Sequence, residues 1–507
     1  MKQLIPLISI FLILLNGCAV NPVTGERELN LLPQGQEIAI GKQQYLPSIQ
    51  MQGGPYAVDP EINNYVREVG GKLAEVSDRE LPYEFAVINN SVPNAWALPG
   101  GKIAVNRGLL LELENEAELA SVIGHEIVHA AARHGAKQVE RGLFIQGGLM
   151  ATGLALSDSE YAGLAVGGAQ VAAQLINQRY SREAELEADY YGMQYMTRAG
   201  YAPEAAISLQ EKFVEMADAG ESSWLEGLFS SHPPSRQRVE ANKETARSLQ
   251  IQGTTARERY QRKISSIRKN APAYAAYDQG ISALKEKKLD EAERLVAKAI
   301  EIEPKEGKFY GLQGDIMAAR GKYQQALQTY DQGIHQPGEF FSLYLQRALV
   351  RKKLKQTEKA KADFQKSLEL LPTALAYNEL GELALAGNQR QEAKEYFRQA
   401  ASSSSPVGQE ARISLIKLDL ADNPGKYIKL KGKVNDKNMV EAISITNTTP
   451  RPVSGVAIKA AYTGEDGSPL QKRLEYSPEI GASRTVELKV NLPARDLQLQ
   501  VTGARIN

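Results

Sequence analysis

Glu116-Ala117-Glu118-Leu119-Ala120-Ser121-Val122-Ile123-Gly124-His125-Glu126-Ile127-Val128-His129-Ala130-Ala131-Ala132-Arg133 is the stretch on which the reading of this chain turns. Leu119, Val122, Ile123 and Val128 recur at helical spacing and predict one buried stripe, with Gly135 as the expected helix stop. Residues four apart on a helix share a face, so His125 and His129 can aim at a single point. Two imidazoles at that spacing with an intervening glutamate are the pattern of a hydrolytic zinc site. His125 and His129 supply ligands, and Glu126 serves as general base on a water and then as proton donor to a leaving amine. The five-residue motif alone recurs in unrelated helices, so the third ligand decides.

A catalytic zinc site keeps three protein ligands and one open position. No further histidine follows at the short spacing of the metzincins, so a carboxylate is required. Ser181-Arg182-Glu183-Ala184-Glu185-Leu186-Glu187-Ala188-Asp189 supplies it on a second predicted helix that ends near Gly200. Glu185 and Asp189 share a face. Glu185 is the third ligand, and Asp189 accepts a hydrogen bond from a ligand imidazole. Glu183 and Glu187 point away and are read as a solvated acidic face.

Composition narrows the alternatives. The 507 residues carry 60 Lys+Arg and 60 Asp+Glu, so no basic excess supports nucleic-acid binding. Only five histidines occur, and four lie between His125 and His232; the fifth is His335. The lone cysteine, Cys18, excludes an intrachain disulfide and a cysteine-based zinc site. It follows an apolar run, Leu4 to Leu15, too short for a comfortable membrane span. Gly17-Cys18 there resembles a bacterial lipobox, which implies a signal peptide over 1–18 and lipidation at Cys18. Ala19 rather than Asp after the cysteine resembles an outer-membrane sorting signal, so the expected place is the cell envelope, anchored in the outer membrane and facing the periplasm.

The chain divides by pattern. Residues 19–245 hold nearly all the chemistry, and 246–270 read as a helical linker. Between 271 and 403 the sequence repeats: Gly280, Gly314, Ala348 and Gly381 are spaced 34, 34 and 33 residues apart, as are Ala292, Ala326, Ala360 and Ala393. Val296, Tyr330, Phe364 and Phe397 follow those alanines by four. That period, with small residues at fixed positions, resembles the tetratricopeptide repeat. Beyond 423, short apolar-alternating runs separated by turns such as Gly464-Glu465-Asp466-Gly467 predict a small all-β sandwich over 423–507. The fold class expected is α+β: a mostly helical peptidase domain with a small edge sheet, an α-solenoid, and the β module.

Several separate blocks carry a family resemblance: Asn21-Pro22-Val23-Thr24-Gly25, Pro93-Asn94-Ala95-Trp96-Ala97-Leu98-Pro99-Gly100-Gly101, the H-E-x-x-H helix, the E-x-E-A-D helix, and Ser231-His232-Pro233-Pro234. Over roughly residues 20 to 240 the chain resembles the gluzincin zinc peptidases of the HtpX and BepA class, to which the CAAX prenyl proteases belong. With repeats attached, the architecture is similar to the periplasmic BepA type, from which the β module departs. The resemblance implies one Zn²⁺ per chain and places the block around Asn94, Trp96 and Gly100 beside the site, where an edge strand can pair with an extended substrate. It places His232 near the zinc, either stabilising an oxyanion or occupying the open metal position and holding the enzyme latent. Arg238 matches the family's arginine and pairs with a carboxylate near the site. His134 and His335 are read as surface or structural, and 143–176 as a small-residue helical hairpin over the site.

The function expected is an envelope endopeptidase acting on unfolded or misassembled proteins, with the repeats docking clients or an outer-membrane assembly machine. The competing reading is a chaperone-like assembly factor with little proteolysis. An intact Glu126 argues for the enzyme, because a structural metal needs no base.

Overall fold

The computed structural model describes residues 18–141, 179–219, 229, 231–464 and 466–506. The expected signal segment before Cys18 and the whole of the expected 143–176 hairpin lie outside the described residues. The chain forms two compact units, 1–372 and 373–507.

In the first unit, β1 (Cys18–Val20) and β2 (Arg27–Leu29) form a hairpin, followed by α1 (Gln34–Met51) and α2 (Pro60–Ala74). A three-stranded sheet comes next, from β3 (Glu84–Ile88), β4 (Ala95–Leu98) and β5 (Lys102–Asn106). Its order is β3-β5-β4, with β3 parallel and β4 antiparallel to β5, so β4 is an edge strand. After α3 (Arg107–Glu112) comes α4 (Glu116–Ala131), the motif helix. Asn115 caps it by accepting from Glu118 N at 3.0 Å, one of the free donors of the first turn.

The helix stops earlier than Gly135. Arg133 adopts φ +64°, the left-handed turn that glycine usually supplies, and the chain is helical again from 134. Its guanidinium compensates for that conformation by reaching Glu140 (2.7 Å), Leu32 O (3.1 Å) and Glu28 (3.2 Å). The Asn21–Gly25 block docks against the same helix end, with Asn21 Nδ2 donating to Ala132 O at 3.1 Å.

The E-x-E-A-D helix, α5 (Arg182–Arg198), begins at a Ser181 cap and ends before Gly200, as expected. It packs directly on α4 because glycines meet at the contact. A Cβ on Gly192 would fall 2.9 Å from His125 N, and one on Gly124 would fall 3.0 Å from Gly192 O. That backbone approach brings the Glu185 face onto the two histidines. α6 (Glu204–Asp218) and α7 (Arg236–Leu249) complete the peptidase part.

The expected helical linker is interrupted. Gln250 and Ala256 both take φ +47°, and an extended segment between them bridges Tyr201 through Thr254 before α8 (Arg257–Lys263). Helix pairs follow: α9 (Ser265–Lys285) with α10 (Leu289–Ile302), α11 (Gly307–Ala319) with α12 (Tyr323–Ile334), and α13 (Phe341–Lys353) with α14 (Thr357–Leu370). The repeat spacing has its physical cause in these contacts. Ala292, Ala326 and Ala360 are fully buried, and a Cβ on Gly314 would strike the Tyr330 ring at 2.5 Å.

The second unit opens with the fourth pair, α15 (Ala374–Ala386) and α16 (Arg390–Ala400), then α17 (Pro406–Asp422) and the short α18 (Pro424–Tyr427). Helix α17 was not foreseen. The β module holds β6 (Ile428–Val434), β7 (Met439–Asn447), β8 (Val453–Thr463), β9 (Pro469–Tyr476), β10 (Thr485–Pro493) and β11 (Gln498–Ile506). Two antiparallel sheets, β10-β7-β6 and β11-β8-β9, share one core of Ile443, Ile445, Val456 and Ile458, as a sandwich requires.

Candidate metal centre

Four donors from three parts of the chain converge in a buried cluster: His125 and His129 on α4, Glu185 on α5, and His232 on the loop before α7, with ligand atoms all within 4.8 Å of one another. His125 Nε2 lies 3.0 Å from His129 Nε2 and 3.3 Å from His232 Nδ1. Glu185 Oε1 lies 3.0 Å from His232 Nδ1 and 3.4 Å from His129 Nε2. Ligands bound tetrahedrally at 2.0–2.1 Å stand about 3.3 Å apart, so these separations fit zinc without rearrangement.

The tautomers strengthen the fit. His125 Nδ1 sits 2.9 Å from Asp189 Oδ1 and donates to it, which turns Nε2 toward the other donors. His129 Nε2 faces His125 Nε2 at 3.0 Å, a contact that needs either a proton or a metal cation between the two nitrogens. The field also calls for positive charge. Burial opposes the charged form of His125, yet Glu185 and Asp189 outweigh it and push its pKa up to about 10. Burial works against the Glu185 carboxylate, but His232 and His125 hold it well below the usual range.

Asp189 is itself fixed. Arg238 Nε and Nη2 donate to it at 2.6 and 2.7 Å, a two-pronged contact that keeps the buried carboxylate ionised despite desolvation. Arg238 Nη1 also stands 3.0 Å from Glu185 Oε2 as an ion pair, without hydrogen-bond alignment. The arginine thus braces the ligand carboxylate and the carboxylate behind His125. Glu126 lies beside the cluster with Oε1 3.5 Å from His232 Nε2, while Oε2 is buried with no hydrogen-bond partner among the described residues. Burial pushes its carboxyl above the usual range, toward the pH at which it would exchange protons.

Other site expectations land differently. Ala95, not its neighbours, reaches the cavity beside the cluster, which Val122, Leu209, Phe213 and Asn242 also line. Trp96 turns the opposite way and meets Tyr45 edge-on at 6.2 Å in a separate apolar cluster, because alternate strand residues face opposite sides. Gly100, at φ +76°, lets the turn press on α1, where a Cβ would come 2.6 Å from Ile38 Cα. Asn94 is buried and accepts from Ala95 N. None of these three side chains lines the cavity; the edge-strand backbone is what that block brings to the site. Cys18 lies in β1, paired with Leu29.

Three residues escaped the sequence reading. His134 is no surface residue: its Nδ1 lies 2.8 Å from His129 Nδ1. Glu187 is not a free acidic face, since its Oε1 lies 3.2 Å from His134 Nε2. Tyr180 stacks on the His129 ring with centroids 3.8 Å apart. The scarcity of histidine was the available signal for His134. A continuous helix puts position i+5 about 140° off the i face, which hid the contact.

Comparisons with known proteins agree with this geometry. Residues 60–246 match Peptidase family M48, and residues 277–338, 341–373 and 374–405 match tetratricopeptide repeats. The chain is 32% identical over 204 residues to a "Putative beta-barrel assembly-enhancing protease" of Vibrio cholerae serotype O1, covering 38% of this chain and 41% of that one. It is 33% identical over 199 residues to "Mitochondrial metalloendopeptidase OMA1" of Schizosaccharomyces pombe, covering 38% and 55%. A "Beta-barrel assembly-enhancing protease" of Escherichia coli K12 is 26% identical over 334 residues, covering 60% and 68%. The matches to the first two span little more than half of those relatives at most. Matched motif helices, a zinc-shaped donor set and the repeats together show that the chain carries a peptidase family M48 domain joined to tetratricopeptide repeats.

Proposed function

We propose that this chain is a zinc-dependent endopeptidase of the bacterial cell envelope that degrades misfolded or stalled proteins. The observation that carries the proposal is the unpartnered Oε2 of Glu126 beside the His125–His129–Glu185 donor set. A purely structural metal would have no use for a buried carboxylate with a free oxygen. Bound by these residues, zinc would supply Lewis acidity to the attacking water and to the scissile carbonyl. Glu126 takes the water's proton and passes it to the leaving amine. Asp189 and Arg238 hold His125 and Glu185 in place. The edge of β4 offers backbone groups to an extended substrate, which suits unfolded clients of varied sequence.

His232 was left with two roles, and its placement favours one. Its Nδ1 lies inside the donor set, 3.3 Å from His125 Nε2 and 3.0 Å from Glu185 Oε1, the arrangement expected of a fourth ligand that keeps the enzyme latent. Lipidation at Cys18 would hold the chain at the outer membrane, and the repeats would dock clients or assembly machinery, in keeping with the similarity to beta-barrel assembly-enhancing proteases.

Cleavage of casein by the zinc-loaded chain from Ala19 onward, beside Glu126→Gln, tests the enzyme. The parent should cut and the variant should lose about 10²–10⁴-fold in rate while still binding zinc. His232→Ala should raise basal cleavage if His232 is the latch. Zinc-loaded parent and His232→Ala that both leave casein intact would return the reading to an assembly factor.

A further inference from the structure

Every zinc-ligating histidine must keep one ring nitrogen bare, and something must fix which one. For His125 the device is direct: Asp189 accepts from Nδ1. For His129 no carboxylate among the described residues touches Nδ1. Its partner is another imidazole, His134, nitrogen to nitrogen at 2.8 Å, in a position only 5% exposed. Two ring nitrogens at that distance share one proton, so one imidazole donates and the other accepts. The contact does not choose between the two directions.

Glu187 makes the choice. Its Oε1 stands 3.2 Å from His134 Nε2, and a carboxylate can only accept there. The His134 proton is therefore on Nε2, its Nδ1 is bare, and it accepts from His129 Nδ1–H. The bare nitrogen of His129 is then Nε2, the one facing Glu185 and His125. Reversing the chain would put a proton on His129 Nε2 and remove it from the donor set. The left-handed turn at Arg133 makes the relay possible, because it swings His134 back beside His129 after the helix has ended.

We infer that His134 and Glu187 form a two-residue relay that sets the tautomer and ring orientation of His129, and hence the zinc affinity of the centre. Both are positioning residues, acting on the metal through His129. The inference rests on the proposed zinc site and concerns its assembly rather than its substrates.

Zinc affinity of the full chain from Ala19, measured by competition with a chelating dye, tests it without reference to cleavage. The relay predicts that His134→Phe, which fills the space but cannot accept, weakens zinc binding about 10–100-fold. His134→Asn, whose carbonyl can accept from His129 Nδ1, should recover much of that loss. Glu187→Ala should weaken binding in the parent and change nothing in the His134→Asn background, because an amide has no tautomer to set. A merely structural His134 predicts the opposite: Phe tolerated, and Glu187→Ala silent throughout. Zinc affinity within twofold of the parent in both His134→Phe and Glu187→Ala overturns the relay. If His134→Phe does not fold, the Glu187 position, its side chain 26% exposed, and His134→Asn decide alone. A parent that binds no zinc at all would sink the metal-centre reading itself, a result distinct from failure of the relay.

Discussion

At the residue scale the centre is built from charges that only neighbours make tolerable. Asp189 is largely enclosed, its side chain 9% exposed, bonded to both His125 and Arg238, and useful only as an acceptor. Asp189→Asn can offer its amide nitrogen to His125 Nδ1, which would reverse the tautomer, and it leaves the buried Arg238 cation without its fork partner. Zinc should be lost about 10–100-fold more readily to a chelator. Arg238→Lys should behave poorly despite keeping its charge, because an ammonium cannot bridge Asp189 and Glu185 together. We expect a lowered melting temperature corresponding to about 1–3 kcal/mol, read by thermal denaturation. His125, His129, Glu185 and Asp189 were legible in the sequence because helical spacing alone puts each pair on one face. His134 and Glu187 were not, because their contact depends on a backbone turn at Arg133 that no spacing rule supplies.

At the element scale the decisive feature is how closely α4 and α5 approach. Gly192 is two turns along from Glu185, and its missing side chain lets α5 lie against the backbone of His125. Gly192→Ala should push the helices apart, cost about 1–3 kcal/mol as overpacking, and weaken zinc binding with the fold otherwise intact. Circular dichroism with dye competition separates the two effects. A second prediction concerns α11 and α12, where Tyr330 donates to Asp315 at 2.7 Å. Burial pushes Asp315 up to about 6. Its unfolded value is about 3.9, so between these pH values the folded chain holds more protons than the unfolded one. Stability from this group is therefore greatest below about pH 4, falls as pH rises to about 6, and is level above. Asp315→Asn, which keeps an acceptor for Tyr330, should raise the melting temperature at pH 8 by the equivalent of about 1–2 kcal/mol. It should change little at pH 4, and a gain of equal size at both pH values would contradict the cause given.

At the scale of the molecule, apolar packing in the first unit continues from the peptidase part into the first repeats. Tyr260, Ile264, Ile267, Tyr274 and Phe309 belong to the same buried cluster as Ile62, Leu109 and Ile127. A polar joint lies in the same region: Glu306 accepts from Asn89 at 2.8 Å and Tyr274 at 2.7 Å, and the wholly buried Arg107 lies 3.6 Å over the Tyr274 ring. The peptidase part and the first repeats therefore fold as one body. A fragment ending at Leu249 would expose that apolar surface, and we expect it to be insoluble or rapidly digested in limited proteolysis, whereas a fragment ending at Pro372 should resist. Glu306→Ala should destabilise the larger piece by about 2–4 kcal/mol, since it strips buried donors of their acceptor.

By itself the sequence determined which side chains share the two motif-helix faces, the repeat period and most strands of the sandwich, because each follows from a periodicity set within one helix, one repeat or one strand. Tertiary structure alone decided how these parts meet. It made glycines the contact between the two motif helices, sent Trp96 into a core and Ala95 to the cavity, and fused the peptidase part with the repeats. It also placed His134 and Glu187 behind His129. Each of these depends on side chains brought together from distant positions or across an irregular turn, and neither a 3.6-residue nor a two-residue period carries that information.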